Sequence, residues 1–496
     1  DIEQLKKLRD QYFVSTGYEK IEIRSKFKDA QREMFKKQIA VLGQGHMTMA
    51  LADWDPFKDI SSSWFDPEWM FGIKSFDIVI ANPPYISHDK IKEKGYIKEN
   101  YECFEAFADI YCYFIERAIS ILSNTGIICF ITSNSYLKTN YGKPIRRLLN
   151  MQTEILSIIN IEDFQLFDSA IVNTAILIAQ KGHDISRMCR IVNKSYEKSA
   201  SFNNFVDSHS FFSCQDEFND DVWGLLQENK SKLRKKISSC GNTLSNLKTK
   251  IRLGIATGAN EAFVIDQDKR DMLISSDPQN INIIKPILRG RDISRYEYSF
   301  AKKYLLLTRN DIDVKREYPT IYNYLDEFGE DFKNRGAKGK HWSNLRPCAF
   351  FDDFKKEKII WIELTDKSKF ALCDEEMYLV NSAYFMLPPT GFPSRYLLGI
   401  LNSKLVQFYL SLFAETSGMG TIRWINEFVG KVPVPSITDK TKNIVEDIID
   451  AVTRVEGDKK SKSETASMEK SIDQMVYRLY DLTPDEIKIV EGVKNE

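Results

Sequence analysis

An α/β sheet followed by an α+β region and then by helices is the fold class that three observations predict. An apolar run, Phe76-Asp77-Ile78-Val79-Ile80-Ala81, reads as a fully buried strand. From there to about residue 185 strand-like and helix-like segments alternate, as they do in α/β proteins. Beyond 241 short strands alternate with Gly-rich turns, and beyond 436 apolar residues fall into helical stripes.

The elements come in order. Residues 1–75 are a helical lead-in and an aromatic loop: residues 1 to about 50 are charged and helical in pattern, with Ile2, Leu5 and Leu8 on one stripe and Phe27, Ala30 and Met34 on another. An aromatic, Pro-containing loop comes next, from Trp54 to Gly72. Residues 76–185 hold the first strand and a helix over about 104–123. A second buried strand, Gly126 to Ile131, and a short basic helix with Arg146 and Arg147 come after it. Two further strands, Ile155 to Ile161 and Ile171 to Ala179, are joined by a short link that implies a hairpin, hence an antiparallel edge. Residues 186–240 are polar, with few strand or helix cues, and read as a connector. Residues 241–436 form the α+β region. In 437–496, Ile444, Val445, Ile448, Ile449 and Val452 form one stripe and Ile472, Met475, Val476 and Leu479 another. Thr483-Pro484-Asp485-Glu486 sets an N-cap, an N1 proline and an N3 acid to start a last helix.

Bulk properties bound the function. The 496 residues are too many for one core. With 69 basic and 70 acidic side chains, any nucleic-acid footprint must be a local patch. The eight cysteines form no Cys-x-x-Cys pair, and read as reduced thiols of a cytosolic protein, with no metal site. No run of 18 apolar residues suggests a membrane span. The chain begins Asp1-Ile2-Glu3 and reads as a portion of a longer protein.

The informative residues are Asn82-Pro83-Pro84-Tyr85, directly after the first strand. Open α/β sheets bind ligands at the carboxyl ends of their strands. The prolines fix φ and remove two donors, and Asn82 is pushed to an extended conformation. The loop therefore offers acceptors and few donors. The Asn82 side-chain oxygen and the Pro83 carbonyl could take both hydrogens of an exocyclic amine such as that of adenine. This draws the nitrogen toward tetrahedral geometry and frees its lone pair for attack on a methyl sulfonium. Tyr85 supplies a face on which an extruded base can stack. His88, just past the loop, is read as incidental.

At these residues the chain resembles the amino-methyltransferases of DNA, and Asn in first position favours adenine N6 over cytosine N4. The resemblance implies the second half of a Rossmann-like methyltransferase sheet, with S-adenosyl-L-methionine as donor and Asn82 and Pro84 bordering it. It also implies a second aromatic, Phe167, across the flipped base within Phe164-Gln165-Leu166-Phe167-Asp168-Ser169-Ala170. The donor's Gly-rich turn is expected before residue 1. The one upstream candidate, Val41-Leu42-Gly43-Gln44-Gly45, comes after a charged helix, not a strand, and lies too close to Asn82.

Basic and aromatic residues interleave in 241–436, and the residues expected to meet DNA are Arg289, Arg291, Arg335, Lys338, Lys340 and Arg423. Gly254-Ile255-Ala256-Thr257-Gly258-Ala259-Asn260, Leu401-Asn402-Ser403-Lys404 and Val432-Pro433-Val434-Pro435 resemble target-recognition domains of restriction–modification proteins. The whole chain thus resembles the C-terminal part of a type IIG restriction–modification enzyme of a prokaryotic cytoplasm, with double-stranded DNA as partner. Glu357 and Glu363 lack the setting of a nuclease site, so any cleavage in the parent lies upstream. Two alternatives stay open: a DNA-reading module without catalysis of its own, and methylation of RNA or protein by the same loop.

Overall fold

Residues 2–42, 67, 73–161, 173–182, 187–194, 196, 201–218, 222–415, 421–460 and 465–492 are described by the computed structural model. The aromatic loop apart from Pro67, together with Gly43, Gly45 and Phe167, lies outside the described residues.

The chain divides into two units. The first comprises Asp1–Ile131, Leu148–Leu156 and Leu177–Arg187; the second comprises Thr132–Arg147, Ser157–Ile176 and Met188–Glu496. In the first, helices α1 (Ile2–Val14) and α2 (Gly17–Leu42) pack through the two expected stripes. Leu5, Phe27 and Met34 are buried there, with Leu8 and Ala30 alongside. Charged residues cover the rest, which is why only a narrow seam forms.

The strands β1 (Phe76–Ala81), β2 (Leu122–Ser133), β3 (Thr153–Ile161), β4 (Thr174–Lys181), β5 (Met188–Asn193) and β6 (Phe211–Cys214) form one sheet in the order β1-β2-β4-β3-β5-β6. β1 pairs in parallel with β2, Ile78 opposite Ile127 and Ala81 opposite Phe130. β3 and β5 are parallel, while β6 runs antiparallel to β5.

Three expectations need correction. β1 is not fully buried: it ends the sheet, and Ile78 and Ile80 are 60% and 75% exposed. An apolar run looks the same in an edge strand as in a central one. The pair β3 and β4 does not form the sheet's edge, because β5 and β6 extend it and β6 is the antiparallel edge strand. The stretch 186–240 is therefore no mere connector. It supplies those two strands and the helices Phe202–His209 and Glu228–Ser239. In the second unit a ladder of amides, buried at Asn134 and Asn160, ties strand ends: Asn134 Nδ2 donates to Asn160 Oδ1 (2.9 Å), and Asn160 Nδ2 to Asn193 Oδ1 (2.7 Å).

The α+β region holds two four-stranded sheets. One is antiparallel throughout, in the order Phe370–Cys373, Lys358–Ile362, Ala383–Leu387, Lys250–Leu253. The other runs Tyr378–Leu379, Ile284–Leu288, Tyr304–Leu306, Val264–Ile265. The C-terminal helices share a core with this region: Val445, Ile448, Val452, Ile472 and Val476 bury against Leu397, Leu401 and Trp424. Gly399 permits the close approach, since a Cβ there would stand 2.7 Å from Ile448 Cγ2.

The last helix, Pro484–Glu491, starts on a capping box. Thr483 Oγ1 accepts from the Glu486 N–H (3.3 Å), and Glu486 Oε2 accepts from the Thr483 N–H (2.7 Å). Thr483→Ala is expected to cost about 1 kcal/mol, read as a lower denaturant midpoint at unchanged slope.

Candidate active site and nucleic-acid interface

In the first unit, β1 delivers the chain into Asn82-Pro83-Pro84-Tyr85, an irregular loop at the strand's carboxyl end. Asn82 is exposed and Pro83 buried. The Ile86 N–H donates to the Pro84 carbonyl at 3.0 Å, closing a tight turn about Tyr85. Neither the Asn82 side chain nor the Pro83 carbonyl has a hydrogen-bond partner among the described residues. The loop thus spends the Pro84 carbonyl on its own shape and keeps two acceptors for something else.

Two contacts anchor the segment just past the loop. The Ile110 N–H donates to the Ile86 carbonyl (3.1 Å), and the His88 N–H donates to Asp109 Oδ1 (3.1 Å). Both partners lie just before the helix Tyr111–Ile121, whose buried face carries Tyr111, Cys112, Ile115 and Ile119. His88 itself meets Phe107 edge-on, with ring centroids 5.3 Å apart. Its backbone helps to hold the loop in place. Burial pushes the Tyr85 hydroxyl above its ordinary range, so the ring stays neutral and presents an uncharged face.

In the second unit the six residues expected at DNA fall into different settings. Arg289 is clamped by Asp292: Nε donates to Oδ2 (3.0 Å), Nη2 to Oδ1 (2.7 Å), and the Arg289 N–H to Oδ2 (2.8 Å). The carboxylate holds the guanidinium charged and oriented, and leaves Nη1 without a hydrogen-bond partner among the described residues. Arg291 is exposed. Both line an open cavity of about 490 Å³ with Lys303, Glu261 and Ser382. Lys338 and Lys340 are exposed on the loop after Arg335.

Arg335 and Arg423 do not sit as free surface cations, which corrects the sequence reading. Arg335 is only 9% exposed. It donates to four carbonyls: Nε to Thr257 (3.2 Å), Nη1 to Phe332 (3.1 Å) and Trp342 (2.6 Å), and Nη2 to Asn344 (3.0 Å). Phe263 and Phe332 lie against its guanidinium. Arg423 is bridged to Glu363 (2.9 Å) and Glu415 (3.1 Å), so its charge is already matched. A basic residue in a Gly-rich run looks alike in sequence whether it faces water or backbone carbonyls. Asp292 and Asn310 shape these loops, and only the adjacency of Asp292 to Arg291 marks either of them in the sequence.

All eight cysteines are free thiols, four of them buried. Among the described residues no group of His, Cys, Asp or Glu is arranged to hold a metal, and no helix is long and apolar enough to cross a membrane.

Comparison with known proteins fits this division of labour. Residues 7–167 match the family described as Eco57I restriction-modification methylase, and residues 285–434 match the TaqI-like C-terminal specificity domain. The chain carries a restriction–modification methylase region followed by a specificity domain. The Asn-Pro-Pro-Tyr loop lies in the methylase region, and the arginine sites lie in the specificity domain.

Relatives match along most of the chain. The Type II methyltransferase M.BstVI of Geobacillus stearothermophilus is 21% identical over 449 residues, 84% of this chain and 75% of its own length. The Type II restriction enzyme and methyltransferase RM.Eco57I of Escherichia coli is 20% identical over 73% of this chain and 40% of its own length. Among solved structures, the Type IIL restriction-modification enzyme MmeI in complex with DNA resembles this chain with a TM-score of 0.58 at 12% identity. That likeness covers 93% of this chain and 62% of MmeI, and it bears on the fold alone.

Proposed function

We propose that the protein transfers a methyl group from S-adenosyl-L-methionine to the N6 amine of adenine in duplex DNA, as the modification activity of a restriction–modification system. The observation that carries this reading is the pair of acceptors, Asn82 Oδ1 and the Pro83 carbonyl, that have no hydrogen-bond partner among the described residues, in the same loop as Tyr85. The amine donates its two hydrogens to Asn82 Oδ1 and the Pro83 carbonyl. Its lone pair, withdrawn from the ring, forms the N–C bond as the C–S bond breaks and the electron pair stays on sulfur. The proton leaves N6 afterwards, so no strong base is needed in the loop. Tyr85 stacks the extruded base, worth roughly 1–3 kcal/mol, which is of the order of the flipping cost. Phe167 is proposed for the opposite face.

The donor supplies an electrophilic methyl group when bound, and Asn82 and Pro84 border it. Loop 82–85 offers acceptors and an aromatic ring, which suits the amine rather than the donor's carboxylate and ribose. The names of the relatives, Type II methyltransferases, support methylation as the activity. MmeI, which shares the fold, was solved in complex with DNA, and DNA as the acceptor agrees with that. In the specificity domain, Arg289, held by Asp292, and the exposed Arg291 are proposed to face the duplex. A guanidinium fixed along one edge keeps the donors of its other edge for a base or phosphate.

The test has two arms. Calorimetric titration with S-adenosyl-L-methionine asks whether this chain binds the donor, and micromolar binding is expected if its pocket is complete. Labelled methyl transfer to duplex DNA, RNA and protein then identifies the acceptor. Label in adenine N6 of duplex DNA is the expected result; preferential labelling of RNA or protein overturns the reading. Duplex binding without donor binding would make the chain a reader that needs its donor site supplied separately.

A further inference from the structure

The loop after Arg335 is built with more care than a solvated surface needs. The Gly339 N–H donates to the Asn344 carbonyl (3.0 Å), and the Lys340 N–H to Asn310 Oδ1 (2.7 Å). Asn344 Nδ2 donates to the carbonyls of Arg309 (2.9 Å) and Ile312 (3.1 Å). Lys338 and Leu345 form an antiparallel bridge. A Cβ at Gly339 would lie 2.2 Å from Asn310 Oδ1 and 2.5 Å from the Leu345 carbonyl, so only glycine fits. Arg335 closes the base through its four carbonyls, two of them, Trp342 and Asn344, within the loop.

On this fixed backbone the exposed side chains are cationic or hydrogen-bond donors. Lys338, Lys340, His341 and Arg346 are all exposed. Lys340 and Arg346 have no carboxylate partner among the described residues. Three of the acids on the preceding segments are engaged elsewhere: Asp326 and Glu330 with Lys333, and Asp311 with Arg309. The Ser343 N–H donates to His341 Nδ1 (3.2 Å), so in the neutral ring the proton sits on Nε2. Uncompensated charge on a chain of net charge −1 is a local feature with a direction.

We propose that Lys338, Lys340 and Arg346 form a phosphate-binding patch that grips the backbone of duplex DNA independently of sequence. Arg335 acts as the residue that positions the loop and does not touch DNA itself. This rests on the reading that the protein acts on DNA. Preorganised donors lose little conformational entropy on meeting a regular row of phosphates. Contacts to phosphates fix register without carrying sequence information.

The experiment is fluorescence anisotropy of the full chain with several duplexes of different sequence across a salt series. The double variant Lys340→Ala/Arg346→Ala should weaken binding by about tenfold or more at low salt, equally for every duplex. The slope of log K against log salt should fall by about 2, near 0.9 per lost phosphate contact. Lys355→Ala, an exposed cation elsewhere, is the control and should change neither. An unchanged slope in the double variant, or an equal loss in the control, overturns the patch. So does poly-glutamate competing as tightly as duplex, which would point to an acidic protein partner. A wild type that binds no duplex removes the DNA reading and the patch together, whereas binding with an unaltered double variant removes the patch alone. Both substituted side chains are exposed, so unchanged thermal unfolding verifies that the fold is intact.

Discussion

Asn82→Ala should abolish methyl transfer while leaving duplex affinity within about twofold. The expected loss of rate is at least about 10²–10³-fold, of the order seen when one preorganised hydrogen-bonding group is taken from the reacting atoms. Alanine removes the oxygen that accepts one amine hydrogen, so the nitrogen keeps its lone pair in the ring and is a poor nucleophile. The Pro83 carbonyl alone holds a single hydrogen and cannot enforce the tetrahedral geometry. Asn82→Asp keeps an acceptor and should retain more activity than Asn82→Ala. A loss of packing would not give that order, because Asn82 is exposed and neither change opens a cavity. The measurement is incorporation of labelled methyl into duplex DNA, beside anisotropy of the same duplex. Methylation retained in Asn82→Ala sinks the role proposed for the loop.

Tyr85 separates binding from chemistry differently. Tyr85→Ala removes the stacking face and is expected to lower the rate by roughly 10- to 100-fold, from a stacking energy of about 1–3 kcal/mol. A duplex whose target adenine faces a mismatch is easier to open, and it should recover part of that loss. Asn82→Ala should show no such recovery, because its defect lies after the base is flipped.

A feature is legible in the sequence when local properties decide it. The strand Phe76–Ala81 and the turn after it were legible because apolar continuity and two prolines are local properties. The exposure of Ile78 and Ile80 was not, since it depends on the strand's place in the sheet. The C-terminal helices were legible because their stripes repeat at helical spacing, and Val445, Ile448, Ile472 and Val476 are buried as the spacing requires. The strands Met188–Asn193 and Phe211–Cys214 were hidden. They are short, sit among charged residues, and gain their structure by pairing with each other and, for β5, with β3. Propensity is a weak guide where pairing decides. The basic residues show the same limit. The composition marked where cations concentrate, but not which of them meet carbonyls, carboxylates or water, because backbone acceptors leave no trace in a sequence.

Arg335→Met should lower stability by about 1–3 kcal/mol or more, the cost of leaving buried carbonyls unsatisfied. The methionine fills much of the volume and still packs on Phe263 and Phe332, so the cavity term is small. The loss comes from the carbonyls of Thr257, Phe332, Trp342 and Asn344, each of which gives up a charge-assisted donor. A gain opposes it: burial without a carboxylate pushes the Arg335 pKa down to about 10, and removing the cation relieves that cost. Four acceptors against one desolvated cation leave the balance destabilising. Arg335→Lys keeps the charge but cannot reach all four carbonyls, and should fall between wild type and Arg335→Met in denaturant midpoint. A residue that only supports the core would stop there. If Arg335 positions the basic loop, Arg335→Met held well below its unfolding temperature should also show a reduced salt slope for duplex binding. Arg335→Lys should restore part of that slope. A midpoint loss with the slope intact would leave Arg335 a core residue with no part in the loop's aim.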